Sequence, residues 1–416
     1  MTRAGLVAAA GALAACGPLP APRGPGPQPA AGGVDLAPAL PGAERYNDPA
    51  AVAAAAAAGD PNDRVAALVA EAAAAGGRDA PRRDARLDAA CAELARVLPD
   101  EGATPFDLVE FTLQHAGIIE PPPHLVVAVF SGDAMAGFEA DLRERLPGVL
   151  KAGRYRRLGV GSIAREGGRR VVLAFQETFL TTDPFPRRLP SGASARLRGE
   201  VAASFARPRI FITRPDGQVD KLPPGPAGRR FDAMITCAAD GKYQVEVTAE
   251  DPFGATVLAN FPVYCGVAIP RRALIARGDD GAVVDAAAAE QRLLELVNAD
   301  RQRAGQPPLA WDPALAAVAR AHCRDMQDHD FVGHVSPTTG SPVDRTGRAG
   351  IRATVVLENV ARAYSLGEAQ RGLMQSPGHR RNVLAAGVTL AGIGVTIGRE
   401  VAGRRELFVT QLFIAR

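Results

Sequence analysis

This chain is poor in the residues that most often carry chemistry. Its 416 residues include six histidines and five cysteines, and its net charge is only +3. A near-neutral balance with dispersed arginines leaves no basic stripe to neutralise phosphates, which argues against a nucleic-acid partner. Beyond the first sixteen residues, no stretch is long and apolar enough to cross a bilayer as a helix. With so few imidazoles, two that fall inside Gly-, Pro- and Ser-rich clusters stand out. The clusters FVGHVSP, ENVA and SPGHRRN follow one another over residues 331–382 and carry His334, Glu358 and His379. Imidazole, carboxylate, imidazole is a composition that can hold a divalent metal or move protons.

The chain opens MTRAGLVAAAGALAAC, with Arg3 ahead of a short apolar run from Leu6 to Ala15. That run is too short to span a membrane. It resembles a bacterial lipoprotein signal whose lipobox reads Leu13-Ala14-Ala15-Cys16. The resemblance implies cleavage before Cys16, lipidation of its sulfur, and an exported protein held in the cell envelope by a lipid anchor. The outer membrane, on its periplasmic or surface face, is the expected location. An ordinary secretory signal with an incidental cysteine is the alternative. Residues 17–45 then read as a Pro/Gly/Ala-rich linker without fixed structure.

Cysteine usage suits export. Cys237 and Cys265 flank a strand-rich segment, and a disulfide between them would contribute about 3 kcal/mol. Cys91 and Cys323 lie in alanine-rich helical runs, where buried free thiols are expected.

Comparing the chain with itself exposes an internal match. Residues 63–92 align without a gap to 291–320, placing Arg64 on Arg292, Gly77 on Gly305, Asp84 on Asp312 and Leu87 on Leu315. After a small shift, Ala116-Gly117-Ile118 falls on Ala349-Gly350-Ile351, and Gly159-Val160-Gly161 on Gly392-Ile393-Gly394. The agreement of these glycine landmarks favours a duplication. In the second copy Leu293, Leu294, Leu296 and Val297 give an apolar helical face, ended by Gly305 and the following prolines. Asp312 caps a second helix with Pro313 at its first position. Ile393–Ile397 and Leu407–Ile414 read as a hairpin. Between the copies, RIFITRPDG, FDAMITC, GKYQVEVTAE and TVLANFPVYCG are short alternating strands suited to a small immunoglobulin-like β-sandwich. The expected organisation is a signal over 1–16, the linker 17–45, a degenerate copy over 46–186, a β-sandwich over 187–270, a linker over 271–289 and the second copy over 290–416. The fold class is α+β.

The second copy resembles the CAP superfamily (cysteine-rich secretory, antigen 5, pathogenesis-related 1; also SCP) in its bacterial form. The resemblance rests on LLELVNADRQRAGQPPLAWDPALAAVARAHCRDM, FVGHVSP, PVDRTGRAGI, ENVA, LMQSPGHRRNVL, GIGV and FVTQLF, in that order. It implies an α-β-α sandwich with a surface cleft that fuller members line with two His and two Glu. His334 matches the first histidine and Glu358 the glutamate of the usual Gly-Glu-Asn motif, with Leu357 in place of the glycine. Ser376 stands where the second glutamate belongs, and Phe408 where the second histidine belongs. His379, from the Ser-Pro-Gly-His segment typical of bacterial members, is a third candidate for the same cleft.

Three such ligands plus water suit zinc or another divalent metal. They equally suit a hydrogen-bonded network pinning loops together, with Arg380, Arg381 and Asn382 docking the helix after Pro377. No nucleophile is evident, since Ser336 and Ser376 sit beside prolines in turns where capping is their usual task. His322 reads as a core histidine, His329 as solvated, and His115 and His124 as surface loop residues. In the N-terminal copy Leu125 takes the Glu358 position and Leu146 the His379 position, so that copy has lost the polar constellation. Two classes of function follow. One is a non-enzymatic binding cleft for a small apolar, glycan or peptide ligand or envelope component, metal-assisted or not. The other is a metal-dependent hydrolase of cell-envelope material, with Glu358 as general base.

Overall fold

The computed structural model describes residues 32–38, 44–48, 61–99, 104–131, 135–223, 225, 228–275, 283–401 and 404–416. Cys16, and with it the expected lipid anchor, lies outside them.

The C-terminal part is organised by the alternation of strand Arg404–Ala415. Successive strand residues face opposite ways. Leu407, Val409 and Phe413 pack with Leu293 and Val297 of helix Ala286–Arg303. Leu412 and Ile414 pack with Leu315, Val318 and Ala319 of helix Pro313–Asp328. The sheet order is Ala310–Trp311, Leu390–Val401, Arg404–Ala415, Val355–Ala363; the first pair is parallel and the others antiparallel. Asp312 caps helix Pro313–Asp328 as expected, accepting the Leu315 amide at 2.9 Å.

The N-terminal part repeats this pattern. Its sheet runs Arg82–Arg83, Arg157–Arg165, Gly168–Gln176, His124–Ser131, again with one parallel and two antiparallel pairs. Asp84 caps helix Ala85–Val97. A Cβ on Gly161 would strike the backbone of Cys91 and Ala92, and one on Gly394 the backbone of Ala319 and Arg320. In both parts, therefore, glycine lets the capped helix lie directly on the sheet. Register agrees too: Glu358, Leu412 and Gly392 share one row, as do Leu125, Ala174 and Gly159. One difference is local. Helix Met135–Lys151 is continuous, whereas helices Leu366–Gln375 and Pro377–Val383 are broken at Ser376, which caps the second.

Between these parts lie a three-stranded sheet (Leu180–Thr182, Ser194–Val201, Arg230–Thr236) and a five-stranded sheet built on Ala206–Thr213, Gly241–Asp251 and Gly254–Cys265. They enclose one apolar cluster that includes Leu197, Ile235, Val245 and Phe261. Cys237 and Cys265 are disulfide-bonded, while Cys91 and Cys323 are free and buried.

Two expectations need correction. The linkers are not wholly unstructured, because Gly32–Asp35 pairs antiparallel with Arg272–Ile275. Leu36 and Ala273 are buried in the same cluster as Leu87 and Leu94, so apolar burial holds both segments. His115 is not a surface loop residue: it is 8% exposed at a helix end, with Nε2 2.9 Å from the Ala37 carbonyl.

Candidate functional site

The register of strand Val355–Ala363 sets Glu358 beside Leu412, on the face that packs against helix Pro313–Asp328. Its side chain is buried, and both carboxylate oxygens are engaged. His334 Nδ1 donates to Oε1 at 3.0 Å, and Arg345 Nη2 donates to Oε2 at 2.5 Å. The other arm of Arg345 binds loop carbonyls, Gly340 O at 2.6 Å and His334 O at 3.1 Å. One guanidinium thus ties Glu358 to the loop that carries His334. A buried carboxylate needs such compensation to remain charged.

His379 lies nearby, its ring centroid 6.2 Å from that of His334. Burial, reinforced by His334, pushes its pKa down to about 3, so the ring is neutral at ordinary pH. Asn359 Nδ2 donates to His379 O at 3.2 Å, and Asn382 Nδ2 to Glu358 O at 3.0 Å. The expected docking role of Asn382 is visible in that bond. The structure therefore brings His334 and Glu358 into contact and places His379 near them.

His322 is a core residue, fully buried, donating from Nε2 to Gly333 O at 2.9 Å. That nitrogen also lies 3.9 Å from Glu358 Oε1, and burial lowers the His322 pKa. Ser336 Oγ accepts the amides of Thr338 and Thr339, which is turn capping. Cys323 is no nucleophile, since burial pushes its thiol up to about 12.

Each oxygen of Glu358 thus already accepts one hydrogen bond, from His334 or from Arg345. Among the described residues no group of three or more His, Cys, Asp or Glu could hold a metal ion. The His334, Glu358 and His379 set is not such a group.

The central sheets contribute residues that sequence reasoning missed. Glu246, fully buried on strand Gly241–Asp251, accepts the Ser376 hydroxyl and the Gly378 amide, the latter at 2.9 Å. A carboxylate from elsewhere in the chain thus binds the serine that stands where the family pattern has glutamate. Burial pushes Glu246 up to about 7, the two hydrogen bonds opposing the shift. The turn between the two long strands also reaches the cluster. Phe253 stacks on Phe331 at 5.4 Å, its carbonyl accepts the Val335 amide at 2.8 Å, and a Cβ on Gly333 would lie 2.6 Å from it. Only the Phe253 turn could have been anticipated, as an aromatic before glycine; Glu246 and Arg345 carry no local signal.

A mixed α/β domain whose loops converge on a buried carboxylate is the class defined by fold and site. Residues 294–413 match the model of the CAP family, described as the cysteine-rich secretory protein family. Two Bacillus subtilis (strain 168) proteins are similar. Uncharacterized protein YkwD is 40% identical over 106 residues, covering 25% of this chain and 41% of the relative. Uncharacterized membrane protein YlbC is 35% identical over 128 residues, covering 30% and 34%. The chain thus spans less than half the length of either. Among solved structures, an extracellular SCP-domain protein from Bacillus anthracis str. Ames is 22% identical with a TM-score of 0.29, over 54% of this chain and 67% of that one.

Proposed function

We propose that this is an exported, lipid-anchored envelope protein whose CAP domain, an α-β-α sandwich, is a non-enzymatic binding module. His334, Glu358 and His379 line its cleft, and the ligand is a small apolar, glycan or peptide component of the envelope. The observation that carries this reading is the state of Glu358. Held by Arg345 and His334, it orients the His334 ring rather than serving as a base or ligand itself. The outward nitrogen of His334, 20% exposed at the side chain, and the neutral His379 are left as hydrogen-bonding groups for a bound molecule. The Cys237–Cys265 disulfide supports export. In the same reading the N-terminal part is a degenerate copy of the CAP domain, and the central strands are an immunoglobulin-like spacer that covers one side of the cleft.

Native mass spectrometry of the full chain purified from bacterial envelopes tests the proposal. A co-purifying small molecule is expected, lost on His334→Ala while the protein stays folded. Turnover of peptidoglycan, peptide or ester substrates that His334→Ala abolishes would replace binding with catalysis. An empty protein unaffected by envelope fragments would overturn the reading.

A further inference from the structure

Far from the CAP cluster, a groove of about 1390 Å³ runs where the N-terminal sheet meets the central strands. Its floor is a buried charged network. Asp84 Oδ2 receives Arg86 at 3.2 Å and Arg157 at 3.3 Å, and Arg157 also binds Glu120. Thr178 donates to Glu120 Oε1 at 3.0 Å. Two acids and two bases cancel there, yet taking four charges out of water is costly and contributes little net stability. The network is also incomplete, because Glu120 Oε2 and Arg86 Nε are buried without a partner.

The rim is unlike the floor. The side chains of Arg78, Arg82, Arg154 and Arg156 are exposed and, among the described residues, have no carboxylate partner, although the Arg154 amide donates to Glu177 at 2.6 Å, Arg229 is paired with Glu200 at 2.5 Å, and Asp48 and Asp79 also line the groove. Arg82 and Arg156 both line the groove, and their backbones are joined where the Arg82 amide donates to Arg156 O at 3.0 Å. Arginines dispersed along the sequence thus become one cationic edge above a polar floor. Junctions between domains are favoured places for ligand sites, and this volume exceeds the roughly 300–1,000 Å³ of a typical small-molecule pocket.

We propose that this groove binds an extended acidic glycan, its carboxylates on the arginine rim and its hydroxyls on the floor. The floor has the mixed character that sugar hydroxyls need, with the carboxylates of Asp84 and Glu120 and the hydroxyls of Thr178, Thr181 and Thr182. A nucleic acid fits less well, because single strands rely on free aromatic faces. The aromatic lining residues Tyr155 and Phe179 are already packed against Phe175 and Phe205, with centroids 5.5 and 5.1 Å apart.

Calorimetric titration of the full chain with decagalacturonate tests this. Binding is expected, weakening as salt rises, with no binding of a neutral maltodextrin of equal length. Arg82→Ser with Arg156→Ser should weaken it about tenfold or more. Arg145→Ser with Arg324→Ser, the same charge loss outside the groove, should change it by less than about twofold. Equal losses in both double variants would reduce the effect to net charge and overturn the site. Absence of binding would overturn it as well. A single-stranded oligonucleotide that binds as tightly, with the same loss in the rim variant, would overturn the glycan assignment.

Discussion

The row Glu358, Leu412, Gly392 and the row Leu125, Ala174, Gly159 occupy the same place in two sheets of the same order. Around them the scaffolds agree: an aspartate-capped helix lies on the sheet through a pair of glycines, with the same strand directions. Only the C-terminal row carries a charge, held by Arg345 and His334. Helix packing on the sheet therefore does not need the polar cluster, and the cluster calls for a reason beyond folding.

The largest expected effect lies in that row. Glu358→Ala should destabilise the C-terminal domain by about 3–5 kcal/mol, because Arg345 is left buried and unpaired. Combining Glu358→Leu with Arg345→Met, which imitates the N-terminal row, should return stability to within about 1.5 kcal/mol of the parent. Denaturant melts decide the matter: a double variant as unstable as Glu358→Ala would make the network part of the fold. The glycines test the scaffold. Gly161→Ala and Gly394→Ala should each cost about 1–3 kcal/mol by forcing the helix off the sheet. Unequal costs would show that the two packings differ after all.

Glu246 sharpens the comparison at the domain junction, where the N-terminal part has a continuous helix and no Ser376. Its carboxyl sits near pH 7 when buried against an ordinary 4.5, so the docked state holds a proton that an undocked state releases. Docking should be strongest below pH 4.5, weaken on the order of 3 kcal/mol between 4.5 and 7, and then level off. Protection of the Gly378 amide, corrected for intrinsic exchange, should follow that curve in the parent and flatten in Glu246→Gln. An unchanged slope in the variant would assign the pH dependence elsewhere. The smallest effect belongs to His334→Ala, about 1 kcal/mol in stability, since one hydrogen bond at a partly exposed ring is lost. A much larger loss would mean that His334 serves the fold rather than a ligand.

Much of this was legible because it is written locally. Asp84 and Asp312 ahead of helical runs, the alternation of Leu407 to Ile414, and the spacing of Gly159-Val160-Gly161 against Gly392-Ile393-Gly394 each depend on near neighbours. The polar residues His334, Glu358 and His379 were visible as types, and the first two do meet. Their roles were not visible, because Arg345 decides what Glu358 can do and nothing near Arg345 in the chain announces a carboxylate partner. Glu246 is harder still. Alternation alone would place one face of Gly241–Asp251 outward, yet Val245, Glu246 and Val247 are all buried, because the C-terminal domain covers the other face.

By itself, then, the sequence determined the elements, the repeated scaffold, the disulfide pair and the last domain's match to the CAP family. Periodicity, caps and motifs are properties of residues close together in the chain. The tertiary structure alone decided that Glu358 is tied to Arg345, that Glu246 reaches Ser376, and that scattered arginines line one groove. Those are contacts between distant segments, and which side chain answers a buried charge is settled only when the segments pack.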